Sequence, residues 1–180
     1  MENKYTHLFT PFKVGNVQIK NRYCLAAMGM RNFDARGCIT QEGIKYFADF
    51  AKGGFGLILS NSLITDTEID PNLMVNRLSP NWNEKNFVVS CRELTDRVHS
   101  YGSKMFAQIS LGTGRNGGFK SASENPAFFA PDTIVPALTI DEIHRKVEQE
   151  VEGARRCQKA GFDGVEIHAM HYGYLLDQFA

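Results

Sequence analysis

Residues 160–179, AGFDGVEIHAMHYGYLLDQF, place a turn, a short strand and a cluster of histidines and tyrosines in direct succession. The GFDG turn is typical of the end of a helix, and the VEI segment after it fits a strand. His168, His171 and Tyr174 then follow that strand. Ligands of α/β proteins bind at the carboxyl ends of parallel strands, so this stretch predicts both a fold class and a site.

Three earlier segments also have the length and apolar composition of core strands. They are RYCLAAM (22–28), FGLILSNS (55–62) and KMFAQIS (104–110). Helix-like segments separate them, and FKVGNVQIKN (12–21) predicts an amino-terminal hairpin that turns at Gly15-Asn16. The alternation predicts an α/β fold, namely the amino-terminal half of a (β/α)8 TIM barrel, with about four βα units in one domain over residues 1–180. An open doubly wound sheet is the alternative.

Three helices are predicted from capping residues and from apolar residues spaced three and four apart. The first, capped by Thr40, has the apolar positions Ile44, Phe47, Ala48 and Ala51 and ends at Gly53-Gly54. The second, about 82–100, has Phe87, Cys91, Leu94, Val98 and Tyr101. The third, capped by Thr139 or Asp141, has Ile143, Val147, Val151 and Ala154. The connection at 111–138 is so long that a functional or disordered loop is expected there.

Composition narrows the class of protein. Twenty Lys and Arg residues balance twenty Asp and Glu residues, so charge gives no argument for a nucleic-acid partner or an anionic membrane. No apolar run approaches the roughly 20 residues that a membrane-spanning helix needs. The four cysteines are widely spaced without a CxxC motif, and MENKYTHLFTPFK lacks the apolar core of a signal peptide. We therefore expect reduced thiols, a cytoplasmic location and small-molecule ligands.

The side chains after the fourth strand suit the chemistry of a carbonyl group. Two histidines, His168 and His171, could donate hydrogen bonds to an oxygen that gains negative charge. Tyrosine is protonated at neutral pH, so Tyr174 could act as a general acid. From spacing alone, a pair of packed or solvated histidines is an equally good interpretation. A zinc site is less favoured, because no third ligand is evident.

Two further polar residues lie within predicted strands. Gln108 is flanked by apolar residues, and its amide could bind the edge of a heterocycle or be satisfied by backbone groups. Glu166 could orient a neighbouring side chain or form a structural salt bridge. Arg115, in GTGRNGG, could bind an anion, although a surface position is more common for an isolated arginine in a glycine-rich loop. The same loop does not fit a dinucleotide-binding motif, because a proline-rich stretch follows it instead of a helix.

Taken together, KNRYCLAAMGM, AKGGFGLILS, the FAQIS strand and AGFDGVEIHAMHYGYLLDQF resemble the old yellow enzyme family of flavin-dependent ene reductases. The likeness is greatest to the branch of clostridial 2-enoate reductases and bile-acid-inducible NADH:flavin oxidoreductases, which are relatives of 2,4-dienoyl-CoA reductase. It runs through essentially the whole chain. It implies a (β/α)8 barrel with FMN at the carboxyl ends of the strands. The implied reaction is reduction of an activated C=C bond in an enoate, enone or steroid-like acid, with NAD(P)H as the electron source.

The resemblance also implies roles for individual residues. His168, His171 and Tyr174 would be catalytic, the histidines polarising the substrate oxygen and the tyrosine protonating the carbon alpha to the activating carbonyl. The implied FMN-binding residues are Ala27, Met28, Gly29, Ser62, Gln108 and His168. No metal site is implied. An iron–sulfur cluster and FAD would belong only to a longer form of the protein.

Three features depart from the family pattern. Gly29 stands where several members have a cysteine, so that redox tuning is missing. HAMHYGY has one residue more than the HxxHGY form, so either His171 or Tyr172 could face the substrate. The chain also ends about halfway through the expected barrel, before the later loops that hold the FMN phosphate. We therefore expect weak FMN binding or self-association through open barrel edges. A non-catalytic remnant that serves as a structural or interaction module is the alternative function.

Overall fold

The computed structural model describes residues 4–30, 32–69, 78–117, 119–172 and 174–180. Its strands are β1 (Phe12–Val14), β2 (Val17–Ile19), β3 (Cys24–Leu25), β4 (Leu57–Ile64), β5 (Lys104–Ser110), β6 (Asn125–Ala127), β7 (Ala130–Val135) and β8 (Gly164–Ile167). Its helices are α1 (Gln41–Lys52), α2 (Glu84–His99) and α3 (Ile140–Lys159), with short 3-10 turns at Gly114–Asn116 and Leu176–Gln178. No helix in these ranges is long and apolar enough to cross a membrane.

The central sheet has four strands in the order β3-β4-β5-β8, and every neighbouring pair is parallel. Each new strand therefore joins the same edge of the sheet, with one helix in each crossover. A doubly wound sheet would instead reverse direction at its switch point. Sequential addition of βα units is the arrangement of a (β/α)8 barrel, so the predicted half barrel is confirmed.

The predicted hairpin forms and covers the amino-terminal ends of the barrel strands. Strands β1 and β2 pair antiparallel, and Gly15 in the turn has a φ of 56°, which favours glycine. Ile19 of this hairpin is completely buried. It packs in one apolar cluster with Leu57, Leu59 and Phe106. The amino-terminal end of the half barrel is therefore closed by apolar packing.

Helices α1 and α2 pack on the outer face of the sheet as their apolar stripes predict. The Thr40 side chain accepts a hydrogen bond from the Gly43 N–H at 3.1 Å, which confirms the predicted cap. The apolar stripes of both helices belong to the main core, which includes Ile44 and Phe47 of α1 and Phe87 and Leu94 of α2. The prediction fails for Tyr101, which lies beyond the end of α2 and is exposed.

The packed face of α3 differs from the predicted one. Thr139 caps the helix through a capping box with Glu142, but the residues that it buries are Lys146, Glu150, Gly153 and Cys157. Val147 and Val151, from the predicted stripe, are about half exposed, at 50% and 46%, whereas Ile143 and Ala154 pack against apolar clusters as predicted. Lys146 is buried through an ion pair with Asp66, an interaction that an apolar periodicity does not register.

Three further predictions, on the limits of two strands and on one long connection, need correction. Strand β3 includes only Cys24–Leu25 of the predicted 22–28, so Ala27 and Met28 lie in the loop after it. The Asn61-Ser62 pair lies inside β4, which runs on to Ile64, and not at its end. The long connection 111–138 contains the antiparallel pair β6–β7. Its prolines fit this two-stranded pair, in which no central strand requires their missing N–H.

A largely buried carboxylate, that of Asp163, connects β5 to the start of β8 at their amino-terminal ends. Asp163 accepts hydrogen bonds from Lys104 Nζ at 2.8 Å and from the Met105 N–H at 2.9 Å. Its Oδ2 also lies 2.7 Å from His99 Nε2. Burial alone would raise the pKa of Asp163, but the hydrogen bonds from these three partners outweigh it, and the pKa is lowered. The charged carboxylate therefore stabilises this end of the sheet.

Candidate functional site

A row of polar side chains crosses three barrel strands in register. Ser62 of β4 is paired with Gln108 of β5, and Gln108 is paired with Glu166 of β8. Side chains of a strand alternate between the two faces of the sheet, so residues paired in this way point to the same face. The opposite face carries Met105, Ala107 and Ile109, which belong to the core under the helices. The polar row therefore faces the inside of the half barrel.

Glu166 orients the amide of Gln108. The Gln108 Nε2 donates to Glu166 Oε1 at 2.6 Å, and the glutamine is only 8% exposed. Of the two sequence interpretations of Glu166, orientation of a neighbour agrees with this bond, and no salt bridge of Glu166 occurs in the described ranges. Because one N–H of the amide donates to Glu166, the amide is held in one orientation, and its carbonyl oxygen can accept a hydrogen bond from a ligand N–H.

The histidines and the tyrosine after β8 meet at one point. The backbone N–H of His168 donates to Ile109 O at 2.8 Å, which continues the ladder between β5 and β8. The ring of His168 lies 5.4 Å from that of His171 and 4.9 Å from that of Tyr174, measured between centroids. The rings of His171 and Tyr174 are 5.1 Å apart. Tyr174 is 7% exposed, and its ring packs against both histidine rings.

The structure brings His171, and not Tyr172, into this cluster. Tyr172 is 69% exposed, and its ring turns toward Phe128 at a centroid distance of 5.9 Å. Its φ of 49° lies in the left-handed region, and the chain turns with a bend at His171 and Tyr172. The His171 ring packs with His168 and Tyr174, whereas the Tyr172 ring lies between His171 and Phe128.

Sequence reasoning missed the residues that support this turn. Asp177 Oδ2 accepts a hydrogen bond from the His171 N–H at 3.3 Å. The Leu175 N–H donates to Gly112 O at 3.3 Å, which joins the turn to the loop after β5. Leu175 is buried with Leu111 and Leu138. The LLDQ segment after Tyr174 was a possible signal, because its apolar residues suggest an anchor for the preceding loop.

The loop after β3 leaves open space beside the polar row. Ala27 is half-buried, while Met28 and Gly29 are exposed. A Cβ added at Gly29 would meet no atom within 4 Å. In β4, the buried Ser62 Oγ has no hydrogen-bond partner among the described residues. A buried hydroxyl without a partner is costly, so a ligand that bonds to it would relieve that cost. These features fit a flat heterocycle such as the flavin ring of FMN.

A buried polar network of Asp66, Lys146, Thr65 and Glu150 was also not predicted from the sequence. We call it the network behind the site. Lys146 Nζ pairs with Asp66 and donates to Leu111 O at 2.9 Å, so it connects the loops that follow β4 and β5. The Thr65 hydroxyl donates to the carboxylate of Glu150. Burial raises the pKa of Glu150 to about 7, although Thr65 and Lys146 both act to lower it. Glu150 therefore changes its charge near neutral pH.

The site shows no metal-binding character in the part of the chain that the structure describes. No group of three or more His, Cys, Asp or Glu side chains in these ranges is arranged to hold an ion. The four cysteines are free. Burial, followed by the negative charge of Glu166, raises the pKa of the Cys24 thiol, so Cys24 is a poor thiolate ligand.

Comparison with known proteins gives consistent results. The sequence profile of the NADH:flavin oxidoreductase / NADH oxidase family matches residues 7–180. The cinnamate reductase of Clostridium sporogenes is 40% identical over 100% of this chain and 28% of its own length. The NADPH dehydrogenase of Halalkalibacterium halodurans is 31% identical over 99% of this chain and 51% of its own length.

A solved structure shows the same architecture. The old yellow enzyme from Pichia sp. AKU4542 superimposes with a TM-score of 0.83 at 26% identity, over 96% of this chain and 48% of that one. The chain thus spans about half the length of this old yellow enzyme barrel, and a smaller part of some longer relatives. The family match extends over nearly all of the chain, and the parallel sheet has the corresponding topology. The chain belongs to the NADH:flavin oxidoreductase / NADH oxidase family, which includes the old yellow enzymes.

Proposed function

We propose that this chain provides the substrate-activating part of an FMN-dependent ene reductase that takes its electrons from NAD(P)H. The observation that carries the proposal is the meeting of the His168, His171 and Tyr174 rings, with centroids 4.9 to 5.4 Å apart, where β8 ends. The donors of one cluster can thus reach both the oxygen and the nearby carbon of an unsaturated carbonyl compound.

The residues that would hold FMN are Ala27, Met28, Gly29, Ser62, Gln108 and His168. The unpartnered Ser62 Oγ and the oriented Gln108 amide support this assignment, since both offer polar groups to a heterocycle edge. The space at Gly29 supports close approach of a flat ring. When bound, FMN supplies the hydride chemistry of the family.

The chain's own residues would stabilise charge and deliver a proton. Negative charge develops on the carbonyl oxygen when an activated alkene is reduced, and N–H donors from His168 and His171 aimed at that oxygen stabilise the transition state. The Tyr174 hydroxyl would donate a proton to the carbon alpha to the carbonyl. Burial of Tyr174 supports this role, because it keeps competing water away from the hydroxyl.

The class of substrate that we favour is an α,β-unsaturated acid. One relative bears the name cinnamate reductase, and it is 40% identical over the whole of this chain. A carboxylate is a weaker activating group than an aldehyde or a ketone. An enoate reductase therefore needs strong hydrogen-bond donors at the substrate oxygen, and two histidines side by side meet that need.

The test is alkene reduction by the FMN-loaded protein under anaerobic conditions. We expect trans-cinnamate to be reduced at the expense of NADH or NADPH, with the saturated acid measured by chromatography. His168→Ala and His171→Ala should each lower the rate about 10²-fold or more. His144→Ala, an exposed histidine on α3, is the matched control. Flavin that binds and is bleached by NAD(P)H while no tested enoate or enone is reduced would refute the proposal.

A second candidate function, association between copies of the chain, is supported by the outer surface of β8 and α3. Val165 and Ile167 on this surface are 38% and 47% exposed, next to the exposed Val147 and Val151. Strands β3 and β8 are the edges of the described sheet, and an open edge invites pairing. Light scattering should show an oligomer that Val151→Lys disrupts. The control is Val89→Lys at an exposed position of α2, and a monomer in all three proteins would exclude this candidate.

A further inference from the structure

Arg115 is a half-buried cation at the rim of the site. It lies in the 3-10 turn Gly114–Asn116, shortly after the strand that carries Gln108. Its Nε is buried without a hydrogen-bond partner, and no carboxylate pairs with its guanidinium among the residues that the structure describes. A buried N–H group without a partner is unfavourable, and the Nε–H of Arg115 would gain a partner if an anion bound beside it. Arg115 is therefore placed to receive an anion from outside the chain.

Aromatic rings connect Arg115 to the histidine and tyrosine cluster. The Cζ of Arg115 lies 5.8 Å from the ring centroid of Phe128, in the turn between β6 and β7. The Phe128 ring is 5.9 Å from that of Tyr172, and the Tyr172 ring is 5.4 Å from that of His171. Phe128 is 39% and Tyr172 is 69% exposed, so part of each ring is accessible to a ligand at this rim.

The position of Tyr172 in this series is maintained at a cost in backbone strain. Its φ of 49° is the only positive value among the described residues other than glycine. Such a conformation is unfavourable for a residue other than glycine and persists where the surroundings impose it. Here the Asn116 side chain donates to Tyr172 O at 3.1 Å, so the turn that carries Arg115 also holds Tyr172. This hydrogen bond thus connects the Arg115 side of the rim to the Tyr172 side.

We propose that Arg115, Phe128 and Tyr172 form a binding subsite for flat, conjugated carboxylates. The guanidinium pairs with the carboxylate, for which its planar fork is suited, and the aromatic faces stack on the conjugated part of the ligand. The inference rests on the proposed function, because the ligand would be the unsaturated acid reduced at the adjacent cluster. It goes further because it assigns the preference for acids over uncharged analogues to Arg115, which lies outside that cluster.

The experiment compares a charged ligand with its uncharged ester. Binding of trans-cinnamate and of methyl trans-cinnamate is measured by calorimetry, in the presence and in the absence of FMN. We expect Arg115→Gln to weaken binding of the acid by roughly 10- to 100-fold, as loss of a charge-assisted bond implies, and that of the ester only slightly. Arg155→Gln provides the matched control, since Arg155 is an exposed arginine of α3. That variant should bind both ligands as the wild type does.

Two further variants test the parts of the subsite. Arg115→Lys keeps the charge but loses the fork, so we expect it to recover part of the preference for the acid. Phe128→Ala should weaken binding of acid and ester alike, because stacking does not depend on charge. Circular dichroism establishes that each variant is folded.

The subsite is refuted if the wild type does not bind the acid more tightly than the ester, or if folded Arg115→Gln keeps the full preference. This outcome is separable from failure of the proposed function. Arg115-dependent binding without any alkene reduction would refute the reductase and support the subsite. Alkene reduction that does not depend on Arg115 would support the reductase and refute the subsite.

Discussion

The two ends of the parallel sheet are built on different principles. At the amino-terminal end, the hairpin fills the interior with apolar side chains, and the Asp163 carboxylate is satisfied by three partners. At the carboxyl-terminal end, Ser62 Oγ and Arg115 Nε are buried without partners, and Tyr172 has a strained backbone. Groups that a fold leaves unsatisfied need a ligand, whereas groups that it satisfies contribute to stability.

This difference predicts that substitutions at the two ends affect different properties. At the carboxyl-terminal end they should change ligand binding and turnover, with stability little altered. At the amino-terminal end, and in the network behind the site, they should change the free energy of unfolding. Four substitutions test this separation, from the largest expected effect to the smallest.

Tyr174→Phe should have the largest effect, and it should be confined to chemistry. Removal of the hydroxyl takes away the proposed proton donor, so we expect alkene reduction by the FMN-loaded protein to slow by about 10²- to 10⁴-fold. The ring remains packed, and the denaturation midpoint should stay close to that of the wild type. Tyr101→Phe, at an exposed tyrosine, is the control for both measurements. Undiminished turnover in Tyr174→Phe would exclude the proton-donor role.

Lys146→Met should have the largest effect on stability. It removes the cation from the buried Asp66 carboxylate, which still accepts hydrogen bonds from the Glu68 and Ile69 N–H groups, and loss of one member of a buried pair costs roughly 3–5 kcal/mol. Urea denaturation measures this loss. Lys45→Met removes an exposed lysine that pairs with Asp49 on α1 and should cost less than about 1 kcal/mol. Equal stabilities of the two variants would show that the network behind the site is not a structural support.

Asp163→Asn should destabilise the amino-terminal end by about 1–3 kcal/mol at neutral pH. The pKa of Asp163 is lowered in the folded chain. Its contribution is therefore present above the unfolded pKa of about 4 and is lost as the pH falls through the folded value. The difference between wild type and variant, measured by urea denaturation, should shrink under acidic conditions. Binding of riboflavin, which has the flavin ring of FMN, should not change. A variant that lost this binding would contradict the separation of the two ends.

Glu150→Gln should have a smaller effect that depends on pH. The pKa of Glu150 is raised to about 7. Folding therefore favours its protonated form, and the wild type loses stability as the pH rises from the unfolded pKa of about 4.3 through 7. We expect the variant to gain about 1–2 kcal/mol relative to wild type between pH 5 and pH 8. Glu148→Gln on the exposed side of α3 is the control, and an identical pH profile in both variants would contradict this assignment.

The regular parts of the fold could be predicted from the sequence because local signals and burial agree there. KMFAQIS coincides with β5, and Thr40 caps α1 as predicted. The face of α3 was predicted only in part, because Lys146 and Glu150 are buried through partners distant in sequence, Asp66 and Thr65. The β6–β7 pair was missed because its prolines resemble those of an irregular loop.

The candidate site was only partly predictable for a related reason. Spacing placed Gln108 and Glu166 on strands, but only the register of β5 against β8 shows that they are bonded. The positions of His171 and Tyr172 depend on the left-handed backbone of Tyr172. Tyrosine carries no special tendency to adopt that conformation, so no sequence pattern could have indicated it.

The central claim is that the carboxyl ends of these strands bind a flavin ring, with Gln108 oriented by Glu166 to receive it. Riboflavin, which has the ring of FMN without its phosphate, tests the claim most directly through quenching of flavin fluorescence. We predict saturable binding that Gln108→Ala weakens by about tenfold or more, as loss of a hydrogen-bonding group at a ligand edge implies. Gln158→Ala, at an exposed glutamine of α3, should leave it unchanged. Absence of saturable binding, or equal binding by the two variants, would contradict the claim.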